Sequence, residues 1–132
     1  MINTLTKGER LCSTKSIDRL FSSGKSFIAY PLRIVYIKED SIADKPRISI
    51  LVSVSKKKFK RAVKRNRIKR LIREAYRLNK SELSSLLGNK GKRLNIAFLY
   101  LKNELSDYAE IENAISKTMA ILVRKVREDK DI

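Results

Sequence analysis

The apolar and polar positions divide the chain into six segments. Residues 14–23 carry Ile17, Leu20 and Phe21 at i, i+3, i+4, which predicts a short helix, and Gly24 suits the C′ position just past its end. Residues 31–38 read as a strand. Residues 47–55 alternate most clearly: Ile48, Ile50, Val52 and Val54 take a core face, and Ser49, Leu51, Ser53 and Ser55 a small, mostly polar face on which a ligand could lie. Residues 62–79 carry the helical stripe Ile68, Leu71, Ile72, Ala75 and Tyr76. Upstream the phase fails, since Lys64 and Arg65 would fall on the core side, so the first turn is expected at the domain edge. Residues 94–101 are apolar on both faces, hence a central or covered strand. A last helix opens at Asp107 and Glu110, spaced like a capping box, and turns Ile111, Ile115, Met119, Leu122 and Val126 inward.

The expected order is helix, strand, strand, helix, strand, helix, with a further short strand near 25–30 left open. This is an α+β class, and the two strands flanking helix 62–79 are expected to run parallel as a βαβ unit. The chain reads as one domain over 1–132, with flexible ends at 1–10 and 128–132. Phe59, Tyr76, Phe98 and Tyr100 are expected in the core.

Composition narrows the chemistry. The 132 residues include no His and one Cys. That excludes His-based nucleophile pairs, His metal ligands, intramolecular disulfides and Cys-cluster sites. Asp107 and Glu110 read as capping residues rather than metal ligands. With 42% hydrophobic and 34% charged residues the chain is globular rather than disordered. The longest apolar run, Ile96 to Leu101, is far short of a bilayer span, and the N-terminus has no apolar stretch like a secretory signal, so a cytoplasmic location is expected.

The net charge of +17 calls for a polyanionic partner. Residues 56–80 hold 13 Lys and Arg against the single acid Glu74, so one segment carries most of the excess. On helix 62–79, Asn66, Arg70, Arg73 and Arg77 fall within about 60° of one another, opposite the apolar stripe. Arginine forks at one-turn spacing suit a run of phosphates. The spacing says polyanion and helix face; it does not say RNA.

The run Arg65-Asn-Arg-Ile-Lys-Arg-Leu-Ile-Arg73, with Ser53-Val-Ser-Lys-Lys57 before it and Glu74-Ala-Tyr76 after it, resembles the signature of the bacterial ribonuclease P protein component. The resemblance extends over nearly the whole chain. It implies the protein subunit of a ribonucleoprotein endonuclease that removes the 5′ leader from precursor tRNA. Catalysis then resides in the RNA subunit and its Mg²⁺, and the protein contributes no catalytic residue and no firmly held metal. The partners implied are the catalytic RNA and precursor tRNA, with no membrane and no obligatory protein partner. The fold implied is an α/β sandwich whose βαβ crossover is left-handed, against the general right-handed rule.

Carried over residue by residue, the signature assigns RNA contact to Arg65, Asn66, Arg67, Lys69, Arg70 and Arg73, with Lys56 and Lys57 before them; Arg61 and Arg77 extend the same basic stretch. The leader cleft carries over to Ile17, Phe21, Ser53 and Ser55. Ile17 stands where the family has an aromatic, so only apolar contact remains there. Either Val35 or Tyr36 faces the cleft. Lys58-Phe-Lys-Arg61 replaces a family glycine, which leaves that turn's conformation open. A structural RNA-binding protein of the ribosomal type would share the charge and size but has no need of the small-residue strand face. A helix-turn-helix DNA binder would not place its basic helix between strands, and a protein-only nuclease would need paired carboxylates that the pattern lacks.

Overall fold

A computed structural model describes residues 10–11, 13–41 and 45–128. The chain runs α1 (Thr14–Ser23), β1 (Lys25–Ala29), β2 (Leu32–Asp40), β3 (Ile48–Ser53), α2 (Ala62–Asn79), α3 (Ser81–Lys90), β4 (Lys92–Tyr100) and α4 (Tyr108–Glu128). Nearly all of the two ends expected to be flexible lies outside the described residues. The exceptions are Arg10, which bridges to Ile50, and Glu128, the last residue of α4.

The four strands form one sheet in the order β1-β2-β4-β3. β1 pairs antiparallel with β2 and β2 antiparallel with β4, while β3 lies parallel to β4 with Ile48 opposite Leu94 and Ser53 opposite Leu99. The expected parallel pair is therefore present, and the short strand left open at 25–30 is β1. The crossover from β3 to β4 differs from expectation, because it contains two helices. α3 is absent from the expected order, although Leu83, Leu86 and Leu87 stand at i, i+3, i+4; Leu83 and Leu87 are buried, and Leu86 packs half-buried against the same core. Gly91 closes α3 in the left-handed region at φ 66°, a conformation that glycine adopts without a Cβ penalty.

One sheet face, with Ile34, Tyr36, Ile50, Val52, Ile96 and Phe98, packs against Ile68, Ile72 and Tyr76 of α2, Leu83 and Leu87 of α3, and Ile111, Ile115 and Leu122 of α4. The opposite face is covered by α1, where Leu11 and Leu20 sit on Val35 and Ala97. The expected core aromatics are all buried: Phe59 against Tyr100 with ring centroids 6.0 Å apart, and Tyr76 against Phe98 at 6.1 Å. Asp107 caps α4 by accepting from the Glu110 N–H at 2.9 Å. Glu110 itself turns to Lys102 at 2.9 Å, so a simple cap with an outside ion pair replaces the reciprocal box.

α1 begins at Ser13, whose hydroxyl accepts from the Ser16 N–H at 3.4 Å. It ends at Gly24, which is extended rather than left-handed, at φ −75°. Glycine is required there for closeness: a Cβ would stand 2.3 Å from the Leu20 carbonyl oxygen and 2.9 Å from that of Tyr36. That close approach seats the end of α1 on β2. Its start is tied to β3, since the Leu11 N–H donates to the Ile50 carbonyl at 2.7 Å. α1 therefore crosses the strands over the middle of the sheet and leaves the row at the Ser53 end of this face partly open, while Ser49, Asn95 and Arg93 at the other end are buried.

Candidate nucleic-acid interface

The basic stretch starts where β3 stops. Ser55 lies beyond the strand, and its hydroxyl accepts from the Lys57 N–H at 3.1 Å, while the Phe59 N–H donates to the Ser55 carbonyl at 3.1 Å. These bonds, with the buried Phe59 ring, fold the 55–59 turn without a glycine. Lys58 Nζ reaches the Leu101 carbonyl, and Lys56 and Lys57 stay exposed.

Arg61 is the N-cap residue of α2, and no side chain caps the helix. Asn66, Arg67 and Arg70 are exposed, Lys69 and Arg73 half-buried. Arg65 lies on the core-side flank, where the helical phase placed it. Its Nη1 donates to the carbonyls of Phe59 at 2.7 Å and Lys60 at 2.9 Å. So this signature residue has an internal partner: it locks the turn that presents the rest. Arg77 pairs with Glu74 one turn back, which raises the arginine's pKa and lowers the carboxyl's. Partial burial, and after it the charge of Arg10, lower the pKa of Arg73.

Arg10 joins this basic face without any periodic or motif signal in the sequence. The bridge to Ile50 lays it along the outer edge of β3. There it joins Arg70, Arg73, Glu74 and Arg77 around one hollow. Like charges brought together in a concave, partly dehydrated setting form a ready site for an anion. Proximity in sequence could not show this, because Arg10 and Arg73 meet only through the pairing of the chain's start with β3.

The second surface is on the α1 face. The register aligns Ile28, Arg33, Leu99 and Ser53 in one row across the sheet, and Ser26, Val35, Ala97 and Leu51 in the next. α1 covers the second row. Val35 is thus the residue beneath α1, and it is buried; Tyr36 belongs to the main core, edge-on to Phe27 at 5.9 Å. Arg19 of α1 pairs with Glu39 at the far end of the sheet. Arg19 and Phe21 project roughly 100° to either side of Leu20, and Ile17 lies on the Phe21 side. The Ile17–Phe21 flank therefore overlooks the open row. Phe21 is 47% exposed, Ile17 half-buried, Ser53 and Arg33 exposed, and Leu99 half-buried between them. This is a groove with an apolar wall and a mixed floor, running out at Ser53 on the strand that leads into the basic turn.

Two parts of the expected small-residue face are not open. Ser49 is buried and accepts from Arg93 Nη2 at 2.8 Å, and Leu51 lies partly under α1. Of the expected cleft residues, Ile17 and Phe21 share the flank of α1 that overlooks the row holding Ser53, whereas Ser55 stands in the turn with its hydroxyl engaged. Arg33 and Leu99 join them unforeseen; only the register between β2 and β4 reveals that they share a row with Ser53.

Among the described residues no three His, Cys, Asp or Glu side chains converge to hold a metal ion, and no helix is long and apolar enough to cross a membrane.

Comparison with known proteins gives this arrangement a family. A family model described as Ribonuclease P matches residues 5–123. The ribonuclease P protein component of Porphyromonas gingivalis strain W83 is 46% identical over 118 residues, covering 87% of this chain and 83% of its own. That of Chlorobium phaeobacteroides is 37% identical over 127 residues, covering 89% and 87%. Among solved structures, the RNase P proteins of Staphylococcus aureus and Thermotoga maritima share the fold. Their TM-scores are 0.66 and 0.64 at 22% and 23% identity, with 86% and 88% of this chain covered and 94% and 96% of theirs. The basic helix, the sheet that carries it and this likeness along most of the chain agree: the chain belongs to the bacterial ribonuclease P protein family.

Proposed function

We propose that the two surfaces divide the work of a ribonuclease P subunit between the catalytic RNA and the precursor tRNA. The observation that carries the division is the continuity of the exposed face of α2 with Arg10 at the edge of β3, on the strand whose other face opens into the Phe21 groove. Arg61, Arg67, Arg70, Arg73 and Arg10 grip phosphates of the RNA subunit, with Asn66 bonding a ribose or base edge and Lys56, Lys57 and Lys69 adding charge. Arg65 holds the turn. The single-stranded leader enters the groove, where Phe21 offers a stacking surface, Ile17 and Leu99 apolar contact, Ser53 a hydrogen bond and Arg33 a cation for a leader phosphate.

The chain is then the non-catalytic subunit of an endoribonuclease that matures the 5′ end of tRNA. The Mg²⁺ that serves cleavage is held by the RNA subunit. The location that fits these partners is the cytoplasm, where precursor tRNA is made.

Counterion release tests the basic face. If about six cations neutralise phosphates, log K for the catalytic RNA falls with log salt at a slope of about −4 to −5. A slope shallower than about −2 would show that this face is not the interface.

A further inference from the structure

At the end of the sheet opposite the groove, a polar cluster ties α1 to three strands. Arg93 on β4 donates through Nη1 to Glu39 Oε1 at 2.6 Å, through Nη2 to Ser49 Oγ on β3 at 2.8 Å, and through Nε to the Pro46 carbonyl at 3.1 Å. Asn95 Nδ2 adds a bond to Glu39 Oε1 at 3.3 Å. The other carboxylate oxygen, Oε2, meets Arg19 of α1. The Arg93 side chain is 5% exposed and that of Glu39 13%, whereas Arg19 is 56% exposed. Glu39 is thus a fixed acceptor in a low-dielectric setting, and Arg19 engages it from the exposed side. Burial, and then the nearness of Arg19, lower the pKa of Arg93.

α1 needs such a tie. Its ten residues bury only one side chain completely, Leu20. Leu20, with Ile17 packed half-buried beside it, sets where the helix sits, and a polar tie on the opposite flank resists its roll about that line. Roll is what matters for the groove, because Phe21 and Ile17 are on the flank opposite Arg19. A roll that lifts Arg19 from Glu39 drives Phe21 towards the floor at Arg33 and Leu99; the reverse roll lifts Phe21 away.

We propose that Arg19 and Glu39 are positioning residues for the leader: their ion pair fixes the roll of α1, and with it the aperture between Phe21 and the sheet. The inference rests on the groove reading above. It assigns leader selectivity to two residues that the leader does not touch.

The test uses the holoenzyme reconstituted with Arg19→Ala, Glu39→Gln, Arg19→Lys and Phe21→Ala proteins. Affinities for precursor and mature tRNA, affinity for the catalytic RNA and the protein's Tm are measured for each. Arg19→Ala and Glu39→Gln are both expected to lower the precursor-over-mature preference by about fivefold, the scale of one partly screened ion pair, with catalytic-RNA affinity unchanged. Arg19→Lys restores most of the preference. A direct contact between Arg19 and RNA would instead leave the preference intact in Glu39→Gln, which frees Arg19, and that result overturns the proposal. So does a lowered Tm with unchanged preference in the folded fraction. If Phe21→Ala loses the preference while Arg19→Ala keeps it, the clasp fails and the groove stands; if neither loses it, the groove reading fails as well.

Discussion

Leu20 and Phe21 are neighbours with opposite fates: Leu20 is wholly buried against Val35 and Ala97, and Phe21 is 47% exposed on the groove flank. Their i, i+3, i+4 spacing with Ile17 identifies a helix with an apolar side, but not which member faces the sheet. That depends on how α1 rolls, which Arg19, Glu39 and Gly24 decide through contacts distant in sequence. The consequence is measurable. Leu20→Ala is expected to cost about 2–5 kcal/mol of stability, because it empties a closed site. Phe21→Ala is expected to leave the melting temperature near that of the parent and to weaken precursor binding by the worth of one stacked base, about 1–3 kcal/mol. Thermal melts beside precursor and mature tRNA titrations separate the two; a large loss of stability in Phe21→Ala would put its ring in the core.

At the scale of the element, α2 shows what a periodic pattern can and cannot convey. Its bounds and its buried stripe of Ile68, Ile72, Ala75 and Tyr76 are readable directly, since an amphipathic helix advertises its phase. The fault in that phase at Arg65 has a physical reason: the side chain does not enter the core but folds back onto the Phe59 and Lys60 carbonyls. Two arginines five residues apart should therefore respond differently. Arg70→Ala is expected to weaken binding to the catalytic RNA by about 1.5–3 kcal/mol with Tm unchanged, because it removes a charge-assisted contact from an exposed face. Arg65→Ala is expected to lower Tm as well, since two carbonyls lose their donor and the 58–61 turn loosens. Equal stability of the two variants would contradict the internal role of Arg65. α3 carries Leu83, Leu86 and Leu87 at the same spacing as α1, but in a short serine-rich run that follows α2 after Lys80 alone and ends at the Gly88–Gly91 break, so no separate helix stands out in the pattern.

At the scale of the molecule, the fold converts one uneven charge distribution into two distinct surfaces. The net charge of +17 and its concentration in 56–80 are visible in the sequence. So is the alternation that makes β3 a strand with one core face. The joining of Arg10 to Arg73, and of Arg33 and Leu99 to Ser53, is not visible, because both depend on strand order and register: β3 at the sheet edge beside the chain's start, β4 between β3 and β2. Pairing of distant segments leaves no periodic trace in any one of them. The central claim concerns what this molecule does with its partner, and cleavage measures it most directly. Precursor tRNA is incubated in Mg²⁺ with the purified protein alone, with the cognate catalytic RNA alone at low salt, and with both. The account predicts no cleavage by the protein alone, and faster release of the intact 5′ leader by the two together than by the RNA alone. Leader removal by the protein without RNA, surviving stringent purification, or no gain from adding the protein to the RNA, would contradict it.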